Sequence, residues 1–240
     1  MIITTWGRAA CGKSTAAANL ALTLSASRRM VGIISSNLQY GHIQSLFGQT
    51  IHTKHGTYRA IDENEAYAHF WKSGVDDNVF LLAVPNEYSG LDFEHITLEQ
   101  AENLITQALP HFDDLIIDGS EQLGNPVSDV GLAMSDRILL LHKPSVASCS
   151  WYTSKSEVSR LLKIDDKITH ILSAYDNSCS IEAYREKTGV TFDFELPFVS
   201  EMPSLENAGT PITLTNQRSA KDYKAALENI VKKVILNYAE

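Results

Sequence analysis

The sequence predicts an α/β fold with a doubly wound, mostly parallel sheet that carries helices on both faces. Two observations predict it. Short apolar runs rich in β-branched residues alternate along the chain with stretches of helical spacing, and this alternation is typical of parallel sheets joined by right-handed crossovers. The 240 residues are 44% hydrophobic and 20% charged, which is ordinary for a globular domain. We therefore expect residues 1–240 to form one domain.

Seven runs of four to six residues, rich in Ile, Leu and Val, have the composition of buried strands. In chain order they are residues 2–5, 31–35, 79–84, 115–118, 137–142, 168–173 and 194–199. Turn-forming residues follow several of them, such as Pro85 after the third and Gly119 after the fourth. Because parallel sheets bind ligands at the carboxyl ends of their strands, we expect functional residues directly after these runs.

Six stretches have apolar residues at every third or fourth position, the spacing of one helix face. In chain order they are residues 13–24, 60–71, 98–109, 147–162, 181–187 and 221–238. The apolar face of the last stretch consists of Tyr223, Leu227, Ile230, Val231, Val234 and Tyr238. Only Lys232 and Lys233 are basic near its end, so we expect this face to pack on the core and membrane association to be absent.

A glycine-rich segment follows the first predicted strand. Residues 7–14 read G-R-A-A-C-G-K-S and match G-x-x-x-x-G-K-[ST], directly before a helical pattern. The backbone N–H groups of such a loop wrap a polyphosphate, and Gly7 and Gly12 permit the turns and the close approach. Lys13 is expected to reach the β- and γ-phosphates, and Ser14 to offer its hydroxyl to Mg²⁺. The other residues expected to bind the cofactor are Ala9, Ala10, Cys11 and Thr15.

Cys11 has two interpretations. It stands at the predicted N-terminus of a helix, where the pKa of a thiol tends to fall, so it is a candidate for a redox-sensitive stop on nucleotide binding. The alternative, which we favour, is a small residue that fits the loop.

The predicted strand 115–118 ends in a carboxylate, Asp118, as expected of the strand that holds Mg²⁺ beside a phosphate-binding loop. We therefore expect Ser14 and Asp118 to be the metal ligands. The alternative for Asp118 is a cap on the segment that follows. Asp113 and Asp114 lie at the far end of this strand and are expected on the surface.

Composition and charge argue against several classes of protein. The chain has 20 Lys and Arg against 29 Asp and Glu, a formal charge of −9, which disfavours DNA binding. No apolar run approaches the roughly 20 residues that a membrane-spanning helix needs. The start of the chain lacks the pattern of an export signal, and three widely spaced cysteines argue against a disulfide framework. We expect a cytoplasmic protein.

With these motifs in place, the chain resembles the ParA/MinD family of deviant Walker P-loop ATPases, and within it the pilus-assembly branch called CpaE or TadZ. Residues 7–15 are similar to the loop G-K-G-G-x-G-K-[ST]-T, and residues 17–21 to the segment A-x-N-L-A. Residues 96–101 and 112–118 resemble the stretch I-T-x-E-Q…F-D-x-V-I-x-D of the pilus branch. Residues 135–144 resemble A-D-x-V-I-x-V…P.

The resemblance implies a function. It implies ATP and Mg²⁺ as cofactors, a homodimer that forms across ATP, and a protein partner from a polar-localisation or pilus-assembly system. The pilus branch typically has a receiver-like N-terminal domain; because the loop begins at Gly7, we expect that domain to be absent here. Two alternatives stay open: a ParA-like ATPase of DNA or plasmid segregation, and a catalytically dead nucleotide-binding scaffold.

The chain departs from the family pattern at the residues that carry catalysis. The resemblance assigns catalytic roles to Lys13, Arg8 and Asn37. Arg8 replaces a lysine that reaches the partner's nucleotide; it keeps the charge and adds a bidentate fork, and its alternative is a solvent-facing residue. Ser35 and Asn37 replace two aspartates, the second of which orients the attacking water.

Because an amide cannot accept a proton as a carboxylate does, we expect ATP hydrolysis to be slow or absent. Ser173 and Ala174 stand where the family has an asparagine beside the adenine, so the preference for ATP over GTP rests on the resemblance.

Overall fold

The computed structural model of the protein describes residues 1–89, 91, 95–173 and 175–236, and within them eight strands form one sheet. The strands are β1 (Ile2–Gly7), β2 (Val31–Ser35), β3 (Trp71–Lys72), β4 (Val79–Leu82), β5 (Asp114–Asp118), β6 (Arg137–His142), β7 (Ile168–Ser173) and β8 (Phe194–Leu196). Their order is β3-β4-β2-β5-β1-β6-β7-β8. All neighbours pair in parallel except β3, which runs antiparallel to β4. The predicted α/β fold with a mostly parallel sheet is confirmed.

Helices cover both faces of this sheet. They are α1 (Lys13–Ser25), α2 (Thr57–Asp62), α3 (Leu98–Ala108), α4 (Pro126–Met134), α5 (Val146–Leu162), α6 (Ile181–Thr188), α7 (Met202–Asn207) and α8 (Ala220–Ile230). Short 3₁₀ turns lie at Ile43–Phe47, Tyr67–His69, Leu109–His111, Asp165–Lys167 and Ile212–Leu214, and a π-helical turn, Val231–Ile235, continues α8.

The core lies on either side of the sheet because successive strand residues point to opposite faces. Ile3 and Ile116 pack in one cluster with α1 and α8, whereas Ile2 and Ile117 pack in a second cluster with α2, α3 and α4. All four side chains are fully or almost fully buried, as expected for strands covered on both faces.

The helix predicted over residues 60–71 is wrong. The structure has the short α2, the 3₁₀ turn Tyr67–His69 and the edge strand β3 in its place. Asn64 adopts a left-handed backbone with φ of 55°, a conformation that ends a helix. Trp71 then pairs with Leu81 of β4, so pairing at the sheet edge prevails over the helical spacing of the segment.

Two helices, α4 and α7, are not predicted by the sequence pattern. Pro126 and Gly131 look like helix breakers, but Pro126 stands in the first turn, where no intrahelical N–H is needed. The side-chain oxygen of Asn125 accepts the N–H of Ser128 at 3.0 Å and caps the helix. A Cβ on Gly131 would lie 2.8 Å from Cγ2 of Ile117, so the missing side chain lets α4 pack closely on β5.

Asp114 is buried, which contradicts its expected place on the surface. Its carboxylate accepts hydrogen bonds from Nε and, at 2.9 Å, from Nη2 of Arg29. The N-terminal ammonium of Met1 lies 4.0 Å away. Two cations therefore compensate the burial of this carboxylate, and the sequence pattern contained no sign of the pairing.

The end of the chain packs as expected from its apolar face. Tyr223, Leu227, Ile230 and Val231 are buried and join the cluster that contains α1. Tyr238 lies outside the described residues. Within the described ranges, no helix combines the length and the apolar character needed to cross a membrane.

A chain of hydrogen-bonded side chains lies at the end of β6. Nδ1 of His142 is 2.9 Å from the hydroxyl oxygen of Tyr184, and its Nε2 is 2.9 Å from Nδ1 of His170. Burial, reinforced by the nearby His170, lowers the pKa of His142 to about 3. Burial also lowers the pKa of His170. Both imidazoles are therefore neutral near pH 7, with one donor and one acceptor each.

We expect the free energy of unfolding to fall as the pH drops below 6.5. The folded state keeps His142 neutral while the unfolded chain takes up a proton, so the loss begins at the unfolded pKa and continues towards pH 3. The shift corresponds to about 2 kcal/mol by pH 5. Urea unfolding at pH 7, 6 and 5 measures it: His142→Gln should show a smaller loss than wild type or His52→Gln, an exposed control. Equal pH dependence in all three proteins would contradict the assignment.

Candidate functional site

The loop between β1 and α1 depends on two glycines. Gly7, with φ of 147°, ends β1, and an added Cβ would lie 2.4 Å from the carbonyl oxygen of Leu141. Gly12, with φ of 86°, stands immediately before α1. Other residues rarely adopt these conformations, so the glycines let the backbone turn from the strand into the helix without strain. The loop N–H groups and the start of α1 form a cradle suited to an anion.

Cys11 is fully buried beneath this loop. Burial raises the pKa of its thiol, and the nearby Lys13 ammonium opposes that rise only in part. The position where a Gly7 Cβ would stand is 2.8 Å from Sγ of Cys11, so the sulfur fills the space that Gly7 leaves. Cys11 is therefore a packing residue of the loop, and the alternative of a reactive thiol finds no support in this environment.

Lys13 and Ser14 begin α1 at the mouth of the cradle. The ammonium of Lys13 donates a hydrogen bond to the carbonyl oxygen of Arg8 at 3.1 Å, so it folds back across the loop. Thr15, one residue further, accepts through its carbonyl oxygen a hydrogen bond from Nδ2 of Asn19 at 2.8 Å. Lys13 and Ser14 line the same open cavity as Asp118 at the end of β5.

Asp118 meets this loop because β1 and β5 pair in parallel, with Thr5 opposite Asp118. The carboxylate is buried, and its Oδ1 has no hydrogen-bond partner among the described residues. Burial raises the pKa of the carboxyl, and the Ser14 hydroxyl and the Lys13 ammonium oppose the rise. Asn125 and not Asp118 caps α4, so the capping alternative is wrong.

The pair formed by Ser14 and Asp118 suits a magnesium ion. A hydroxyl and a carboxylate are oxygen ligands of the kind that Mg²⁺ takes in protein sites. An unpartnered, buried carboxylate oxygen is costly, and a cation beside it removes that cost. The residues present therefore fit the metal, which would supply charge compensation for bound phosphates.

Arg8 is half-buried at the rim of the loop. Within the described ranges, its guanidinium makes no hydrogen bond or ion pair, and only its carbonyl oxygen is used, by Lys13. Ala9 and Ala10 beside it are exposed. A permanent cation with no ion pair among the described residues therefore stands at the rim of the glycine-rich loop.

Asn37 follows β2, whose last residue, Ser35, lies opposite Asp118. The side-chain oxygen of Asn37 accepts hydrogen bonds from the N–H groups of Gln39 at 3.1 Å and Tyr40 at 3.4 Å. The side-chain oxygen of Asn37 therefore caps a turn. The family pattern described above has an aspartate carboxylate at this position. Asn37 lies on the wall of the site, and its side-chain oxygen is used in hydrogen bonds to its own turn.

An open cavity of about 640 Å³ connects these groups. Its lining includes Ala9, Ala10, Lys13, Ser14, Asn37 and Asp118, so six of the residues expected to bind or react line one space. On the opposite side of the loop, a Cβ on Gly12 would lie 3.4 Å from Oγ of Ser173. Ala174 lies outside the described residues.

The sequence does not predict a role at this site for three residues of the region: Glu121, Asn125 and Trp151. Glu121 Oε2 accepts the N–H of Ala9 at 2.6 Å, and its carbonyl oxygen accepts Nε1 of Trp151 at 2.9 Å. Nδ2 of Asn125 donates to the carbonyl oxygen of Ser36 at 2.7 Å, which joins the start of α4 to the end of β2. The one available signal is position, because Glu121 and Asn125 follow shortly after Asp118.

Comparison with known proteins identifies the class of fold. No protein-family model and no curated protein sequence matches the chain. Among solved structures, the septum site-determining protein MinD from Pyrococcus horikoshii, complexed with Mg-ADP, has a TM-score of 0.77 and 16% identity over 100% of this chain and 99% of that one.

Two further solved structures agree. The MinC:MinD complex of Aquifex aeolicus has a TM-score of 0.76 and 15% identity, covering 100% of this chain and 97% of that one. An ATP complex of a McdA variant from Cyanothece has a TM-score of 0.73 and 19% identity, covering 100% and 98%. The chain thus has the P-loop ATPase fold of MinD and ParA proteins.

Proposed function

We propose that this protein binds ATP and Mg²⁺ and acts as a switch that dimerises in response to the bound nucleotide. The observation that carries the proposal is that Lys13, Ser14 and the Asp118 carboxylate, whose Oδ1 has no hydrogen-bond partner among the described residues, line one open cavity. The fold supports it, since structures of this fold have been solved with Mg-ADP and with ATP. The chain would then be an ATPase-type protein of the cytoplasm.

The proposed dimer rests on the guanidinium of Arg8. Two nucleotides that face each other across a two-fold axis repel through their phosphate charges, and one cation from each protomer relieves that repulsion. Arg8 supplies a charge, and its guanidinium forms no ion pair within the described ranges. Its planar fork suits phosphate oxygens.

A protein partner is also part of the proposal. A MinD protein of this fold has been solved in complex with MinC. The assignment of this chain to polar localisation or pilus assembly rests on the sequence resemblance. One part of that resemblance has a local explanation: Thr97 accepts the N–H of Gln100 at 3.1 Å, and the Gln100 side chain accepts the N–H of Thr97 at 2.9 Å, a capping box at the start of α3.

We propose that hydrolysis is slow. The oxygen of Asn37 caps a turn, and an amide cannot take the proton of the attacking water. This same observation favours the second candidate, a nucleotide-binding scaffold without turnover. The net charge of −9 opposes the alternative of a DNA-segregation ATPase.

The nucleotide site is tested by Lys13→Ala. The variant should bind ATP·Mg²⁺ roughly tenfold more weakly or worse, because the phosphates lose a charge-assisted donor. Isothermal titration calorimetry measures this, with Lys54→Ala, an exposed lysine far along the chain, as the matched control. Equal affinity of wild type and Lys13→Ala would show that the loop is not the nucleotide site.

Slow turnover is tested by Asn37→Asp. Restoring a carboxylate should raise steady-state phosphate release, whereas Asn37→Ser, which can still cap the turn, should leave it at the wild-type level. Wild-type turnover at about 1–100 s⁻¹, the range typical of kinases, would show that the missing aspartate does not limit the reaction.

Dimerisation is tested by sedimentation velocity with ATP, with ADP and without nucleotide. We expect ATP to favour the dimer most, because the γ-phosphate adds charge for Arg8 to neutralise. Arg8→Ala should bind ATP but stay monomeric, Arg8→Lys should retain the dimer, and the exposed control Arg218→Ala should behave as wild type. A dimer that is indifferent to nucleotide and to Arg8→Ala would contradict the proposed switch.

A further inference from the structure

We infer that Glu121 is an internal competitor for the phosphates of the nucleotide. Its carboxylate accepts a hydrogen bond from an N–H group of the glycine-rich loop, and an anion that binds to that N–H must displace the carboxylate. The inference rests on the proposed nucleotide site and adds to it a residue that sets the affinity of that site.

The contact has the chemistry of a phosphate contact. The N–H of Ala9 donates to Oε2 of Glu121 at 2.6 Å, a short hydrogen bond to an ionised oxygen. Backbone N–H groups of such a loop are the donors that bind phosphate oxygens. The Glu121 carboxylate therefore offers the loop a negatively charged oxygen acceptor, as a phosphate group would. Ala9 is exposed and Glu121 is half-buried, so solvent reaches the contact and can replace it.

The backbone that carries Glu121 is held from two sides. Nε1 of Trp151 on α5 donates to the carbonyl oxygen of Glu121 at 2.9 Å, and the Trp151 ring packs edge-on against Trp6 of β1, with 5.3 Å between ring centroids. The N–H of Ser120 donates to Oγ of Ser128 on α4 at 2.9 Å. These contacts keep the Glu121 side chain within reach of the loop.

Two donors of the loop already have acceptors within the chain. The ammonium of Lys13 donates to the carbonyl oxygen of Arg8, and the N–H of Ala9 donates to Glu121. A phosphate group entering the cradle competes for both donors and brings negative charge next to the carboxylate. Nucleotide affinity is therefore lowered by the hydrogen bond that must be broken and by repulsion from Glu121.

The contact itself is tested without nucleotide. In wild-type protein labelled with ¹⁵N, the short bond to a carboxylate should shift the amide proton of Ala9 downfield, and Glu121→Ala should reverse the shift. Gln122→Ala, which changes the exposed neighbouring residue and keeps the carboxylate, should leave the Ala9 resonance in place. An Ala9 resonance that is insensitive to Glu121→Ala would overturn the inference, whatever the protein binds.

The competition is tested by calorimetry with inorganic pyrophosphate and Mg²⁺, a probe that lacks the base and ribose. Glu121→Ala and Glu121→Gln should bind it about tenfold more tightly than wild type or Gln122→Ala, the change expected for losing one charge-assisted competitor. Glu121→Asp keeps the charge but shortens the side chain. An affinity between those of wild type and Glu121→Ala would show that the contact contributes as well as the charge.

The outcomes separate this inference from the proposed function. Unchanged pyrophosphate affinity in Glu121→Ala and Glu121→Gln, with binding that still depends on Lys13, would overturn the role of Glu121 and leave the nucleotide site standing. Absence of binding in wild type and in both variants would overturn the nucleotide site and this inference with it. Binding by Glu121→Ala alone would support competition strong enough to block the wild-type loop.

Discussion

The parallel register of three central strands is the constraint on which the candidate site depends. β1 pairs with β5, and β5 pairs with β2, so Thr5, Asp118 and Ser35 lie side by side at one edge of the sheet. Parallel strands end at the same edge, and the segments that follow them share one space. The loop after β1, the carboxylate at the end of β5 and Asn37 after β2 meet for this reason. A shift of register by one residue would turn Asp118 to the opposite face.

Two of the polar donors at this edge have acceptors within the chain. Lys13 is satisfied by the Arg8 carbonyl oxygen, and the Ala9 N–H by the Glu121 carboxylate. Two other groups lack a hydrogen-bond or ion-pair partner in the described ranges: the buried Oδ1 of Asp118 and the guanidinium of Arg8. One group calls for a cation and the other for an anion. A metal-bound polyphosphate supplies both charges, which is why its chemistry fits the site better than that of either ion alone.

Asparagine side chains connect the site to the elements around it. Asn125 caps α4 and donates to the carbonyl oxygen of Ser36, so the start of α4 is tied to the segment that holds Asn37. Asn19 of α1 donates to the Thr15 carbonyl oxygen and accepts the N–H of Thr213 at 2.8 Å, which joins α1 to a distant turn. The wall of the candidate site is therefore tied by hydrogen bonds to α4, and α1 is tied to the turn that contains Thr213.

Local chemistry let the sequence by itself determine the fold class, the positions of seven of the eight described strands and the glycine-rich loop after β1. Alternating apolar runs, paired glycines and the spacing of Lys13 and Ser14 are properties of a short stretch of chain, and they leave their mark in it. Asp118 could be predicted for the same reason, as a carboxylate that ends an apolar strand. Whether these residues bind a nucleotide stays a prediction.

Only the tertiary structure decided the rest, because it depends on partners that are distant in the sequence. Pairing with β4 made β3 a strand, and contact with Ile117 explains a glycine inside α4. Ala9 and Glu121 are 112 positions apart in the sequence, so no local pattern predicts their hydrogen bond. Burial, which cannot be read from residue spacing, raises the pKa of the Cys11 thiol and agrees with the packing role favoured from the sequence. Long-range contacts and burial arise only once the sheet has assembled. They determine the hydrogen-bond partners and the pKa values of the loop residues, whereas the sequence identifies only the loop.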